Sequence, residues 1–235
     1  MSPSGNDGPG APSPVAQLET RIGAACARAG REPGEVVLVG ASKRQSLDRM
    51  RAAYDAGLRR FGENRVQEAE EKQPALPSDI EWHLLGPLQS NKVRRAVQLF
   101  DVVHSVDRLK VLRALEREAS AAGRRLQAFL EVNLGAEESK HGFAPGAVAG
   151  AADELAGCRA LGFAGLMAIP PPGERPEDSR PWFRRLRALR DELRERHGEA
   201  FAGGLSMGMS DDFEVAIEEG ATHVRIGTAL FGPRG

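Results

Sequence analysis

A lysine closing a nearly continuous apolar run is the first residue here that could do chemistry: VVLVGASK, Val36 to Lys43, ends where a strand would meet its loop. A lysine in that position is most often solvated. Its chemical alternative is a Schiff base with a carbonyl group. That requires an unprotonated amine, so the ordinary lysine pKa of about 10.4 has to be lowered by partial burial or a neighbouring positive charge. A rigid strand end at the mouth of a barrel would supply such surroundings.

A second constellation lies near the other end of the chain, in LSMGMSDDFEVAIEEG (Leu205 to Gly220) and THVRIGTALFG (Thr222 to Gly232). Ser206, Gly208 and Ser210 form a small-residue loop ahead of a helical stretch, and Gly227-Thr228 closes the opposite side. Free backbone N–H groups at a helix start, beside serine and threonine hydroxyls, suit a phosphate. Ser210 serves equally well as a simple cap. Asp211 and Asp212 are expected to act structurally, as N-cap and first-turn acids.

Positioning these groups needs a frame, and the chain alternates strand-like and helix-like stretches after a first helix at about Val15 to Ala29. Strands are expected at Val36–Ser42, Arg60–Glu63, Trp82–Gly86, Val102–Val106, Leu126–Asn133, Gly162–Ile169, Gly204–Met207 and His223–Gly227. Helices are expected at Ser46–Ala56, Asn64–Lys72, Asn91–Leu99, Arg108–Ala122, Pro145–Leu155, Pro181–His197 and Asp211–Glu219, with QSNK (Gln89 to Lys92) as a cap for the third of these. Such βα alternation predicts an α/β fold, a single closed (β/α)8 barrel of the triosephosphate isomerase type with its chemistry at the C-terminal ends of the strands. An open doubly wound sheet would normally carry a glycine-rich turn after its first strand, where this chain has GASKRQS. Alternation along the strands directs Glu131, Asn133 and Arg225 into the barrel and Ala128, Leu130, Val132, Val224 and Ile226 toward the helices. A buried Arg225 with no acidic neighbour in sequence calls for an anionic or hydrogen-bonding partner.

The 235 residues carry 32 basic and 33 acidic side chains, which implies neither a nucleic-acid nor an acidic membrane partner. The arginine-rich run from Trp182 to Glu199 places Leu186, Leu189 and Leu193 at helical spacing and reads as a barrel helix with a solvated face. Two distant cysteines, Cys26 and Cys158, fit a reducing, cytoplasmic setting. The histidines show no metal-ligand spacing, so no metal is assigned. No apolar run approaches the roughly 20 residues of a membrane span. Residues 1–14 are rich in glycine, proline and serine and read as a disordered tail, leaving 15–235 as one barrel domain.

Taken in order, LVGASK, FGENRVQE, WHLLGPLQSNK, VHSVD, ESKHG, GLMAI, LSMGMSDDFEVAIEEG and VRIGTALFG resemble the YggS/PROSC family of pyridoxal 5'-phosphate (PLP) homeostasis proteins over about residues 36 to 232. The resemblance implies a barrel like the N-terminal domain of bacterial alanine racemase, without that enzyme's C-terminal β domain. It also implies Lys43 as the lysine that forms the Schiff base. By the same likeness Ser206, Ser210, Gly227 and Thr228 would hold the phosphate, Asn64 would reach the cofactor side of the rim, and Arg225 would lie against the pyridine ring or phosphate. An arginine at the ring nitrogen would discourage pyridinium formation and weaken the ring as an electron sink. Arg65 stands where many relatives have tyrosine, and Pro170 to Pro172 follow the sixth strand where sequences vary.

Two functions stay open at this level. One is a cytoplasmic, monomeric carrier that stores, buffers or delivers PLP, with apo forms of PLP-dependent enzymes as its partners. The other is a PLP-dependent amino-acid racemase or decarboxylase. Racemases of the related fold set a tyrosine opposite the lysine, supplied by a second domain or subunit. Here the single tyrosine, Tyr54, falls within the first barrel helix and little chain follows Gly232, so the carrier is favoured. His141, beside Lys140 in ESKHG, could in principle substitute as a base. A cofactor-free barrel aldolase using the Lys43 amine is disfavoured by the resemblance.

Overall fold

The computed structural model describes residues 12–135 and 141–232. Eight parallel strands close on themselves in sequence order: β1 (Val37–Ala41), β2 (Arg60–Glu63), β3 (Glu81–Leu84), β4 (Val102–Val106), β5 (Leu126–Glu131), β6 (Leu161–Met167), β7 (Phe201–Ser206) and β8 (His223–Ile226). Closure rests on the pairing of β1 with β8, from Val37 opposite His223 to Gly40 opposite Ile226. Helix α1 (Pro14–Arg28) precedes the barrel; α2 (Leu47–Asp55), α3 (Val66–Lys72), α4 (Val93–Leu99), α5 (Leu109–Ala121), α6 (Val148–Ala156), α7 (Arg180–His197) and α8 (Phe213–Glu218) follow strands β1 to β7 in strict alternation, and α9 (Thr228–Phe231) follows β8.

The expected barrel is therefore present, with local differences that have physical causes. The helices expected from Asn91 and from Pro145 begin as 3-10 turns at Ser90–Lys92 and Pro145–Ala147 and become α-helical only at Val93 and Val148. At the first of these the cap positions fall to Gln89, before the turn, and Lys92, before the helix, neither with a side-chain capping bond, so Ser90 and Asn91 do not stand at the cap expected of them. Strand β7 starts at Phe201, three residues before its expected first residue, because Phe201 pairs with Phe163 across a shift in register. Ser13 accepts from the Ala16 N–H and caps α1, so the helix already includes Pro14; the rest of the expected tail, residues 1–11, lies outside the described residues.

Most of the core lies between the outer faces of the strands and the helices. Ala128, Leu130, Val132, Val224 and Ile226 all join it, as alternation along β5 and β8 requires. Helix α1 buries Val15, Leu18, Ile22, Ala25 and Cys26, one stripe at helical spacing, and packs against α8 and α9. Helix α7 likewise buries Phe183, Leu186 and Leu193, while Arg180, Arg184 and Arg187 pair with Glu218 or Glu219.

The barrel interior is unusual. Its apolar filling is a small cluster of Val102, Phe129, Ala164 and Met167, and the remaining space is crossed by polar side chains. Close approach of β6 and β7 depends on Gly165, where an added Cβ would stand 2.0 Å from the Gly204 carbonyl oxygen.

Candidate functional site

At the C-terminal ends of β1, β2 and β8 the strand ends and following loops surround a cavity of about 320 Å³, within the size range of small-ligand pockets. Ala41 and Lys43 reach it from the end of β1, Gln45 from the loop beyond, and Asn64 from the end of β2. Leu85, Ile169 and Met209 supply an apolar wall, and Ser210, Asp211, Gly227 and Thr228 line it beside the buried Arg225.

Lys43 is half-buried at this mouth, where strand alternation directs it with Ala41 into the barrel while Ser42 turns outward. The next residue, Arg44, has φ +59°, the one positive value at a non-glycine among the described residues. That conformation turns the chain sharply into the loop before α2.

The loop after β7 is built to bring Ser210 against α9. Gly208 has φ +93°, and a Cβ there would meet the Ala216 Cβ at 2.6 Å and the Phe213 Cα at 3.0 Å, so only glycine fits without displacement. Its carbonyl accepts from the Arg225 N–H at 3.0 Å. Ser210 Oγ accepts from the Ala229 N–H at 3.2 Å, tying the loop to the first turn of α9. Asp212 departs from its expected role, since its carboxylate makes no capping bond to α8. It accepts from the Met209 N–H at 2.7 Å and from Ser179 Oγ at 2.8 Å, so it braces the loop rather than the helix.

Six of the seven residues expected at a cofactor, Lys43, Asn64, Ser210, Arg225, Gly227 and Thr228, line this one cavity. Ser206 is the exception: it is fully buried and does not line it. Its Oγ accepts from Arg225 Nη1 at 2.7 Å and lies 2.7 Å from His104 Nδ1. The reason is register. Ser206 points inward from the last residue of β7, one layer below the loop that carries Ser210.

Ser206 belongs to a chain of hydrogen bonds that crosses the barrel. His104 Nε2 lies 2.8 Å from His83 Nδ1, and His83 Nε2 lies 2.7 Å from Glu81 Oε1, at the first residue of β3 on the opposite face. Its hydrogen bond to His83 holds the Glu81 carboxyl below the usual range. One donor arrangement gives every proton an acceptor: Arg225 donates to Ser206, Ser206 to His104, His104 to His83, and His83 to the Glu81 carboxylate. Burial holds His104 well below its ordinary pKa, which keeps it in the neutral form this arrangement needs.

Arg225 also donates from Nη2 to the Ala168 carbonyl at 3.1 Å. Burial pushes its guanidinium down to about 10, against the opposing pull of Asp212 and Glu131. These two acids are the neighbours that the linear sequence did not reveal. Glu131, inward on β5, is itself pushed up to about 7 by burial, then by Asp107, with His141 and Arg225 acting the other way.

The remaining chemical candidates lie elsewhere. His141 Nδ1 sits 3.1 Å from Asp107 Oδ2, and neither lines the cavity; Lys140 is outside the described residues. Tyr54 donates to Asp79 Oδ1 at 2.7 Å on the outside of the barrel. Nothing in the linear sequence marks His83, His104 and Glu81 for a role beyond their inward parity on two consecutive strands of a barrel whose interior is ordinarily apolar.

The alanine racemase N-terminal domain family matches residues 25–235. The chain is 46% identical to the pyridoxal phosphate homeostasis protein of Aquifex aeolicus over 94% of its own length and 96% of that protein's. It is 44% identical to the protein of the same name from Pseudomonas aeruginosa, covering 94% of each. Among solved structures, PipY of Synechococcus elongatus with PLP bound superposes with a TM-score of 0.79 at 40% identity, covering 92% of this chain and all (100%) of that one. Alanine racemase of Clostridium difficile superposes at 0.71 with 13% identity, over 92% of this chain and 56% of the enzyme, a likeness of fold. By sequence and by fold, the chain belongs to the pyridoxal phosphate homeostasis protein family.

Proposed function

We propose that this protein binds PLP in the cavity at the barrel mouth and serves PLP homeostasis, holding the cofactor reversibly through a Schiff base on Lys43 rather than using it for turnover. The observation that carries the reading is the convergence of Lys43, Ser210, Thr228 and Arg225 on one cavity. These residues fit the cofactor chemically. A lysine amine can take up its aldehyde, hydroxyls and first-turn N–H groups can take its phosphate, and Leu85, Ile169 and Met209 offer an apolar flank for its ring. When bound, PLP supplies an electron-withdrawing ring and a reactive aldehyde. Gly227, Thr228 and Ser210 would hold the phosphate, with Asn64 on the opposite rim. Ser206 would act on the site through Arg225.

The carrier is favoured over a racemase or decarboxylase by what surrounds Lys43. Among the described residues, the titratable side chains lining the cavity are Lys43, Asp211 and Arg225. Tyr54 and His141, the two candidates for a second base, are engaged with Asp79 and Asp107 away from it. The partners would be apo forms of PLP-dependent enzymes, met by a monomer in the cytoplasm. That compartment suits two free cysteines, of which Cys26 is buried and Cys158 has its thiol pushed up to about 12 by burial.

The test is spectroscopic and kinetic. Protein mixed with PLP is expected to show a violet-region absorption band that Lys43→Ala abolishes, with no racemisation or decarboxylation across the common amino acids. A missing band overturns PLP tethering. Turnover that the same substitution removes overturns the carrier reading in favour of an enzyme.

A further inference from the structure

Behind Lys43, on the outside of the barrel, the two residues flanking it are tied to α3 and to the end of β2. Ser42 donates its N–H to the Gly62 carbonyl at 2.9 Å and its hydroxyl to Glu63 Oε1 at 2.7 Å. Lys72, from the last turn of α3, donates to the Ser42 carbonyl at 2.9 Å, to Glu63 Oε1 at 2.8 Å and to Glu68 Oε2 at 3.4 Å. On the other side of Lys43, the Arg44 N–H donates to Glu68 Oε2 at 2.8 Å.

The arrangement is more than a surface ion pair. Glu63 is fully buried and Lys72 is 12% exposed, so this ammonium is committed to the cluster. Among the described residues the second, buried Glu63 oxygen has no hydrogen-bond partner, and burial pushes its carboxyl up while Lys72 and Ser42 pull it down. A buried carboxylate with one empty oxygen is a costly element to keep unless its bonds fix something. The cluster fixes Ser42, through Glu63 and Lys72, and the left-handed turn at Arg44, through Glu68, the two peptide units that set where the Lys43 side chain leaves the backbone.

We propose that Lys72, Glu63 and Glu68 form a positioning latch that holds the Lys43 backbone so that its amine meets the cofactor aldehyde at the angle needed for Schiff-base formation. The proposal rests on the PLP reading above. In that reaction Nζ bonds to the aldehyde carbon, and the aldehyde oxygen leaves as water after taking two protons from the nitrogen. No oxidant or further reactant is involved. The latch residues touch neither the cofactor cavity nor Nζ. They act through the two peptides beside Lys43.

Pyridoxine 5'-phosphate separates positioning from general loosening, because it carries the same ring and phosphate but no aldehyde. Glu68→Ala frees the Arg44 N–H at a partly exposed residue, and Lys72→Met removes the ammonium from both flanks. For Glu68→Ala the rate constant for appearance of the violet band after mixing with PLP is expected to fall by about tenfold, since misplacing a reacting group by on the order of 1 Å can cost up to about a hundredfold in rate. Pyridoxine 5'-phosphate affinity should change by less than about twofold, the ring and phosphate contacts being untouched. Lys72→Met should give the same split, and Lys72→Arg should restore part of the rate. Equal losses for both ligands, or no loss for either, overturn the latch while leaving the PLP reading intact. A wild-type protein that shows no band overturns the PLP reading and the latch with it.

Discussion

Replacing Ser206 with alanine separates two roles that the linear sequence could not. As a phosphate ligand, Ser206 would matter only when a ligand is bound; as the link between Arg225 and His104, it matters to the protein alone. The substitution removes a hydrogen bond from a charged donor, at 2.7 Å, and leaves His104 Nδ1 without its partner, also at 2.7 Å, in a residue with no exposed surface. Hydrogen bonds to charged groups contribute about 1.5–3 kcal/mol, and a buried group left unsatisfied costs about 1–3 kcal/mol. Arg225 keeps its bond to the Ala168 carbonyl, and water entering the space of the lost hydroxyl would recover part of the loss. A net cost of about 3 kcal/mol follows from the lower half of those ranges. For a domain of this size that corresponds to a fall in melting temperature of roughly 6–12 °C. The assay is thermal unfolding of the ligand-free protein, followed by circular dichroism, beside binding of pyridoxine 5'-phosphate. A ligand-free melting temperature within about 1 °C of wild type, together with a large loss of phosphate-ester affinity, would refute the through-barrel role and restore Ser206 to the phosphate.

Glu131 makes stability depend on pH. Its carboxyl is raised from 4.5 to about 7 in the folded protein, so the folded state binds the proton more tightly than the unfolded chain does. Its favourable contribution is complete below about pH 4.5 and is lost as pH rises through about 7, a change of up to about 3 kcal/mol. Glu131→Gln should therefore raise the melting temperature at pH 8 relative to wild type and lose that advantage at pH 4.5, read by melting curves across the range; a pH-independent difference would contradict the assignment. Gly165→Ala should cost more than about 3 kcal/mol, beyond the usual range for overpacking, because the new methyl meets backbone rather than a movable side chain. Denaturant unfolding measures it, and a near-wild-type midpoint would show that β6 and β7 can separate at little cost.

The barrel was legible because its signals are local. Short apolar runs alternate with amphipathic stretches, and parity on β5 and β8 correctly separated Leu130 and Ile226 from Glu131 and Arg225. The cavity was legible because its residues cluster in a few loops: Ser210 and Asp211 follow β7, and Gly227 and Thr228 follow β8. What sequence could not supply was depth along the barrel axis. Ser206 and Ser210 lie four positions apart, yet one is sealed beneath Arg225 and the other lines the cavity. Cross-barrel partners were equally hidden, since His104 and Ser206 meet across 102 positions of chain. The bracing of Met209 by Asp212 was misread for a related reason: the N-terminal acid of a helix is ordinarily its cap, and only the fold of the loop shows which N–H it reaches.

The polar interior of the barrel follows from what Arg225 requires. A guanidinium has five N–H donors in a rigid fork, and burying it without acceptors would be prohibitive. Ala168 and Ser206 accept two of those bonds, but a serine that accepts must send its own proton onward. His104 takes that proton only if its other nitrogen can donate, and His83 accepts from it only if it can donate in turn. The sequence of obligations ends at Glu81, a carboxylate that needs no proton of its own and whose side chain is 43% exposed at the far face. Replacing any inner member by an apolar side chain leaves an orphan on each side, so the interior cannot be made ordinary one residue at a time. Arg225 is thus oriented from below and Lys43 from behind, by networks that share no residue. Loosening one anchor therefore leaves the other in place.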